Sequence, residues 1–523
     1  MKKIYPIDIA GIKSIGIEEW LKNIYIPVTG EDFQTIYGNV FTSYLDTVKR
    51  CNNDDVVYWI AISNMIVINY TSQWISEVSR LIRLKERGYE FIIGKEKARI
   101  PDDISTYKYN SLAIKNIITK NVSGLNFQER IKNVLRTIKY NLNPHVFTNI
   151  SNPVFLIGYR SQQEVVSYCN QNKISPICLP TLLFVNNRYE KVNKDSKLNE
   201  VLEFVYSFIV LIEKQFPEIN SSLFELLRKE LVECFIYSLL LFRQNVNVFR
   251  KFKPKKLLAT GLGLPIHREF CASWRYAGGD VVGFVHGNNY FRDCSPVDIH
   301  FLTLVNHYVT TSAGHKDILQ NTAKDCSFGL RIGSIAFTKS SYNKRLFTEI
   351  QRKKPVNKIK RIMLVGFPMA GYYYYLLPAG YAHTQLNLEL RLVKILRSRG
   401  YYVIYKPHPM TINLVEGIFE RYVDKVLNER FEEVYDTADC IIFGNFATTT
   451  FGYALLTNKP IVLIEVKGNY WYPRALELIK KRCTVVEAEI VDGTIVYDEK
   501  DVLNAINNSL ENINYDILYE FAF

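Results

Sequence analysis

The sequence predicts an α/β protein built from two doubly wound halves that face a central cleft. Three observations predict it. In the second half, short apolar segments alternate with helix-periodic ones, the pattern of a parallel sheet covered on both faces. The first half repeats that alternation with longer helical insertions. The chain has 523 residues, 48% of them hydrophobic and 22% charged, which is a folded composition but too long for one core.

Taken in order, Val57 to Ile68 and Val154 to Gly158 read as strands, with Ser72 to Arg87 an amphipathic helix. Asn199 to Arg243 reads as two helices broken near Pro217. The strand Lys256 to Thr260, a helix near His267 to Tyr276 and the strand Val281 to Val285 follow. His307 to Thr310 and Leu330 to Ile335 complete the first half. The second half opens with the strand Lys358 to Gly366 and an aromatic loop containing Tyr372 to Tyr375. His383 to Arg399 has helical spacing of Leu386, Leu390, Val393 and Leu396, and Gly400 stands at its C-cap position. Tyr401 to Tyr405 is a strand, Leu414 to Tyr422 a helix, and Phe431 to Ala438 a further polar-apolar segment. Cys440 to Phe443, the helix Thr449 to Leu456 and the strand Ile461 to Ile464 close the alternation. Polar and basic residues between Thr338 and Lys358 mark the boundary, giving units at 1–345 and 356–500, with a C-terminal helix over 501–523 that packs back on the first unit.

Nine scattered cysteines without a C-x-x-C pair argue for a reducing compartment and against a zinc site. The N-terminus lacks a continuous apolar core, so no signal peptide is expected, and the longest uncharged run, Val56 to Ser72, falls short of a membrane span. A cytoplasmic protein is the expectation. The formal charge of +13 gathers in Arg250 to Lys256 and Arg352 to Arg361. These clusters are solvated linkers, or they keep the protein peripheral on an anionic inner-membrane face or near an acidic glycan. No nucleic-acid-binding motif accompanies them, so nucleic acid is the poorest fit.

Three features fall on strand ends facing the expected cleft, where open parallel sheets bind ligands. In Lys406-Pro-His408-Pro409, the prolines fix the backbone that presents an imidazole able to donate to a phosphate oxygen. Thr448, Thr449 and Thr450 stand at a strand-to-helix turn, where hydroxyls and free backbone N–H groups favour an anion. His286-Gly287 ends a strand of the first half, a place for a general base. Asp280, Asp293, Asp298, His300, His267 and Glu269 compete with His286 for that role. There is no dinucleotide fingerprint, phosphate-binding G-x-x-x-x-G-K-[ST] loop or nucleophile elbow, and no isolated D-x-D follows a strand to hold a metal.

In combination, Lys406-Pro-His-Pro and the run Thr448-Thr-Thr-Phe-Gly-Tyr-Ala-Leu-Leu-Thr-Asn-Lys459-Pro460 resemble bacterial GT-B glycosyltransferases that use cytidine-nucleotide donors. These include capsule-type Kdo transferases, bacterial sialyltransferases and the teichoic-acid glycerophosphotransferases, whose His-Gly pair His286-Gly287 resembles. The resemblance covers about Thr260 to Ile464. It implies a GT-B fold of two Rossmann-like units and a metal-independent transferase without a cofactor. The donor would be a CMP-linked acidic sugar such as Kdo, and the acceptor a growing capsule or lipopolysaccharide glycan, lipid-linked or oligosaccharide. Carried over, it assigns the nucleotide to Lys406, His408, Pro409, Thr448, Thr449, Thr450 and Gly366, and the acceptor side to His286, Asp293 or Glu269. The threonine run continues into Phe-Gly-Tyr where the family often has Glu-Ala, and the sialyltransferase acidic motif has no match. The resemblance therefore favours Kdo or a related acid over sialic acid. It also leaves a CDP-glycerol or CDP-ribitol phosphotransferase, or a non-catalytic glycan-binding protein, as alternatives.

Overall fold

The computed structural model describes residues 3–52, 55–92, 154–158, 162–179, 196–252, 255–285, 296–326, 329–339, 341–351, 356–369, 378–468 and 473–521. The described residues form an α/β protein with two separate, mainly parallel sheets and a small parallel pair, β1 (Lys3–Pro6) with β2 (Tyr89–Ile92). The N-terminal sheet comprises β3 (Val154–Ile157), β4 (Ile177–Cys178), β5 (Lys256–Ala259), β6 (Asp280–Phe284), β7 (His307–Thr310) and β8 (Ser334–Phe337). They lie in the order β4-β3-β5-β6-β7-β8. The C-terminal sheet comprises β9 (Arg361–Val365), β10 (Tyr402–Lys406), β11 (Lys425–Val426), β12 (Cys440–Phe443), β13 (Ile461–Val466), β14 (Thr484–Val491) and β15 (Thr494–Val496). Its order is β11-β10-β9-β12-β13-β14-β15, parallel throughout except for the β14–β15 hairpin. Asp492 and Gly493, both at positive φ, make the two-residue turn of that hairpin.

The C-terminal strands are apolar because both of their faces are covered. Ile362 and Leu364 of β9 enter one core with Val403, Tyr405, Cys440 and Ile442, while Met363 and Val365 enter the opposite core with Ile404, Ile441 and Phe443. The two-residue alternation of a strand makes that division. The first core also holds Ile9, Ile12, Trp20 and Ile26, so the beginning of the chain packs on the C-terminal sheet. At the other end, Ile517 and Leu518 of the helix Asp516–Phe521 share a core with Ile318 of the helix Ala313–Cys326. Gly314 of that helix lies so close to the Glu520 carbonyl that a Cβ there would approach to 2.6 Å.

Most expected elements are found, with three corrections. Val57 to Ile68 is not a strand: the helix Val56–Ser63 occupies it, and the helix Val67–Glu86 begins at its end. Every residue from Val56 to Ser63 is buried, so the helix has no polar face to betray its period. Asp55 caps it by accepting from the Val57 N–H at 3.0 Å. The helix expected over Leu414 to Tyr422 is only a turn, Ile412–Val415, and a 3₁₀ turn, Phe419–Arg421, parted by Gly417 at φ +77°. The strand expected at Leu330 to Ile335 begins at Ser334. The aromatic loop Tyr372 to Tyr375 lies outside the described residues. Among the described residues, no helix is long and apolar enough to cross a membrane.

Candidate functional site at the C-terminal strand ends

In chain order, the six parallel strands of the C-terminal sheet run third, second, first, fourth, fifth, sixth. The direction of winding reverses between β9 and β12, the position at which open parallel sheets bind ligands beyond their strand ends. Gly366 follows β9, Pro407 and His408 follow β10, and Gly444 to Thr448 follow β12. Adjacent strands lie about 5 Å apart, so the segments carrying His408 and Thr448 flank that of Gly366 at a separation of about 10 Å.

His408 is partly buried, and its Nδ1 accepts the Met410 N–H at 3.3 Å. The proton of the neutral ring therefore sits on Nε2, which is the ring's donor. Burial, and then the charge of Lys406, push its pKa down to about 4, so the ring is a neutral donor at pH 7. Lys406 itself is 3% exposed and donates to the Pro407 carbonyl at 2.9 Å. Its ammonium is lowered by burial. It bears on the site through its field, not as an open cation. Thr448 is the N-cap of the helix Thr449–Leu455: its Oγ1 accepts from Phe451 N–H at 3.1 Å, and its own N–H bonds to the Phe446 carbonyl. Its hydroxyl proton is left to donate, with Thr449 exposed and Thr450 half-buried beside it.

A buried polar chain links the segments that follow β9, β10 and β12. Glu389 is fully buried on the helix Tyr381–Ser398. It accepts from the Phe367 N–H at 2.9 Å, from Gln385 Nε2 at 2.8 Å and from the Tyr405 hydroxyl at 2.7 Å. Tyr381 donates to Gln385 Oε1 at 2.8 Å and accepts from Asn445 Nδ2 at 2.7 Å, and Asn445 Oδ1 takes the Ala447 N–H. Burial pushes the Glu389 carboxyl up to about 7, against the pull of these three donors. The signal was present: Tyr381, Gln385 and Glu389 recur every four residues and so share one face of their helix.

The acceptor-side candidates fare differently. His286 and Asp293 lie outside the described residues. Glu269 does not stand at a strand end: it is buried against the helix Val56–Ser63, accepting from the Ser63 hydroxyl at 2.6 Å, and its carboxyl is pushed up to about 8. His300 is fully buried and stacks on Phe41. Asp280 begins β6 and so lies at the N-terminal end of its strand, opposite the end where such sheets bind ligands. His267 does sit near a strand end, its Nδ1 2.9 Å from the Thr260 carbonyl.

The N-terminal segment packs on the helix that carries Glu389. His383 is buried, stacks on Tyr5 and donates from Nε2 to the Pro6 carbonyl at 2.8 Å. Burial, then the charge of Arg80, push its pKa down to about 3. Because the folded pKa lies below the unfolded one, this histidine contributes stability that is present above the unfolded value and lost as pH falls. His383→Gln, which keeps the donor, is expected to flatten the pH slope of unfolding free energy by about one proton between roughly pH 6 and 4. Denaturant melts at several pH values check it; an unchanged slope would show that the folded protein already holds that proton.

The chain matches no family model, and no curated protein matches it.

Proposed function

We infer that the chain is a GT-B-type glycosyltransferase that binds a cytidine mononucleotide-linked acidic sugar, such as CMP-Kdo, in the crevice between β9 and β12. A growing surface glycan would be the acceptor. The observation that carries this reading is the placement of His408 and Thr448 on either side of the winding reversal of the C-terminal sheet. His408 Nε2 and the threonine hydroxyls would donate to the nucleotide phosphate, and the buried Lys406 charge would favour it. Fixed donors of this kind stabilise a departing phosphate without reorganising.

A second feature favours a mononucleotide over a dinucleotide cofactor. In dinucleotide-binding sheets the pyrophosphate rests on the N-terminus of the helix that follows the first strand. Here that end is occupied by the chain itself. The Ala379 N–H donates to Ser76 Oγ at 2.8 Å, and Gly380 lies against the Arg80 guanidinium, where a Cβ would be 3.0 Å from Cζ. The contact of the C-terminal helix Asp516–Phe521 with the helix Ala313–Cys326 supports the two-unit arrangement that a GT-B enzyme needs.

A thermal-shift panel of CMP, CDP, UDP and GDP tests the donor. CMP and CDP are expected to stabilise the protein, by about 2.7 kcal/mol at a hundredfold excess over Kd. His408→Ala is expected to abolish that response without moving the ligand-free Tm. Stabilisation by UDP or GDP but not by cytidine nucleotides would overturn the donor, and an unchanged response in His408→Ala would return the histidine to a packing role.

A further inference from the structure

Two glycines follow the two strands that bound the crevice, Gly366 after β9 and Gly444 after β12. Both have the same requirement. A Cβ on Gly366 would come within 2.5 Å of the Tyr405 hydroxyl, and one on Gly444 within 2.7 Å of Gln385 Nε2. Real Cβ atoms do not approach polar atoms so closely. Each glycine therefore admits one member of the buried polar chain to the back of a crevice-lining segment.

The direction of the hydrogen bonds is equally consistent. From β10, Tyr405 donates to Glu389; from the segment after β9, Phe367 N–H donates to Glu389; from helix Tyr381–Ser398, Gln385 donates to Glu389. On the far side, Asn445 donates to Tyr381, which donates to Gln385. Each link orients the next, and neither the Gln385 nor the Asn445 amide can flip without breaking two bonds. The ends of β9, β10 and β12 are all linked to one carboxyl group, the last through Tyr381 and Gln385.

We propose that Glu389 is a positioning residue: through Gln385 and Tyr405 it fixes the ends of β9, β10 and β12 as one rigid rim against which the ligand of the crevice is held. The ligand half of this statement rests on the nucleotide site proposed above; the linkage of the three strand ends does not. A consequence for the ligand follows. The Phe367 N–H, the first amide beyond Gly366, is committed to Glu389 and cannot cradle a phosphate. The phosphate is left to His408 on one flank and the threonines on the other.

Amide hydrogen exchange of the full chain, read over residues 366–369 and 444–448, tests the linkage. Gln385 is bonded to neither the Phe367 nor the Ala447 amide. Gln385→Ala is nevertheless expected to speed exchange in both segments by about tenfold, with the helix Gly30–Val48 unchanged, since one lost hydrogen bond is worth about that factor. Acceleration in neither segment, or in only one, would overturn the proposal. If Gln385→Ala does not fold, Tyr405→Phe deletes a single hydroxyl and is expected to speed exchange at 366–369; no change there would overturn it equally. CMP binding is measured on the same proteins. A wild type that ignores CMP refutes the nucleotide site while the exchange result still decides the linkage. A wild type that binds CMP, with both variants binding it equally well, refutes the positioning role.

Discussion

Replacing Arg482 with alanine is expected to destabilise the protein by about 3–5 kcal/mol, more than any other single change near the candidate site. Arg482 ends the helix Pro473–Arg482 and is wholly buried. Its guanidinium donates to the Leu455 carbonyl at 3.0 Å, to Thr457 at 2.7 Å and to Lys459 at 3.1 Å. Those carbonyls belong to the end of the helix Thr449–Leu455 and the turn into β13, which would otherwise have to be buried without donors. Tyr515 lies under the guanidinium and donates to the Thr457 carbonyl, so part of that one acceptor survives the change. Arg482→Lys keeps the charge but loses the planar fork, and an intermediate loss is expected. Denaturant unfolding of the three proteins measures it; a loss below about 1 kcal/mol for alanine would mean that water replaces the guanidinium at no cost. Because the helix Thr449–Leu455 carries Thr449 and Thr450, the same variant is expected to weaken the binding of any ligand that the threonines hold.

Arg268→Ala is expected to cost a similar amount, about 3–5 kcal/mol, but in the other half of the chain. Arg268 is fully buried and donates to the carbonyls of Ser63 at 2.7 Å, Ile62 at 3.0 Å and Leu262 at 3.4 Å. The first two close the C-terminal end of the helix Val56–Ser63, where a cation also meets the negative end of the helix dipole. Burial pulls the guanidinium down to about 10, and the carboxyl of Glu269 next to it in the chain is one of the groups that offset this. Burial pushes the Glu269 carboxyl up to about 8, so at higher pH it ionises and, without Arg268, is left a buried charge lacking that favourable neighbour. Adding Glu269→Gln to Arg268→Ala is therefore expected to recover part of the loss. A Glu269→Gln change that shifts stability equally in the native and the Arg268→Ala backgrounds at about pH 9 would show that the two side chains are not coupled.

How far the sequence discloses this molecule depends on the range of the information. The strands β9, β10, β12 and β13 are legible because each is a short apolar run ended by glycine, proline or a polar turn. The histidine and threonines at their ends are legible for the same reason, since a strand-to-helix turn places them beyond the sheet. Val56 to Ser63 is not legible, because a helix buried on all sides and a buried strand have the same composition, and only the cap at Asp55 separates them. The hairpin β14–β15 shows in the sequence only through Asp492-Gly493, the pair that makes its turn. Glu389 was missed because a glutamate in an amphipathic helix ordinarily faces water, and only the fold shows Phe367, Gln385 and Tyr405 converging on it. The packing of Ile9, Ile12 and Trp20 on the C-terminal sheet joins residues more than 300 positions apart, and no local pattern encodes it.

The central claim is that a cytidine nucleotide binds beyond the ends of β9, β10 and β12. A crystal structure of the protein soaked with CMP tests it most directly. The phosphate is expected within hydrogen-bond reach of His408 Nε2 and of a hydroxyl among Thr448, Thr449 and Thr450. A nucleotide seated instead at the ends of β3 and β5, beside Thr260 and His267, would contradict it.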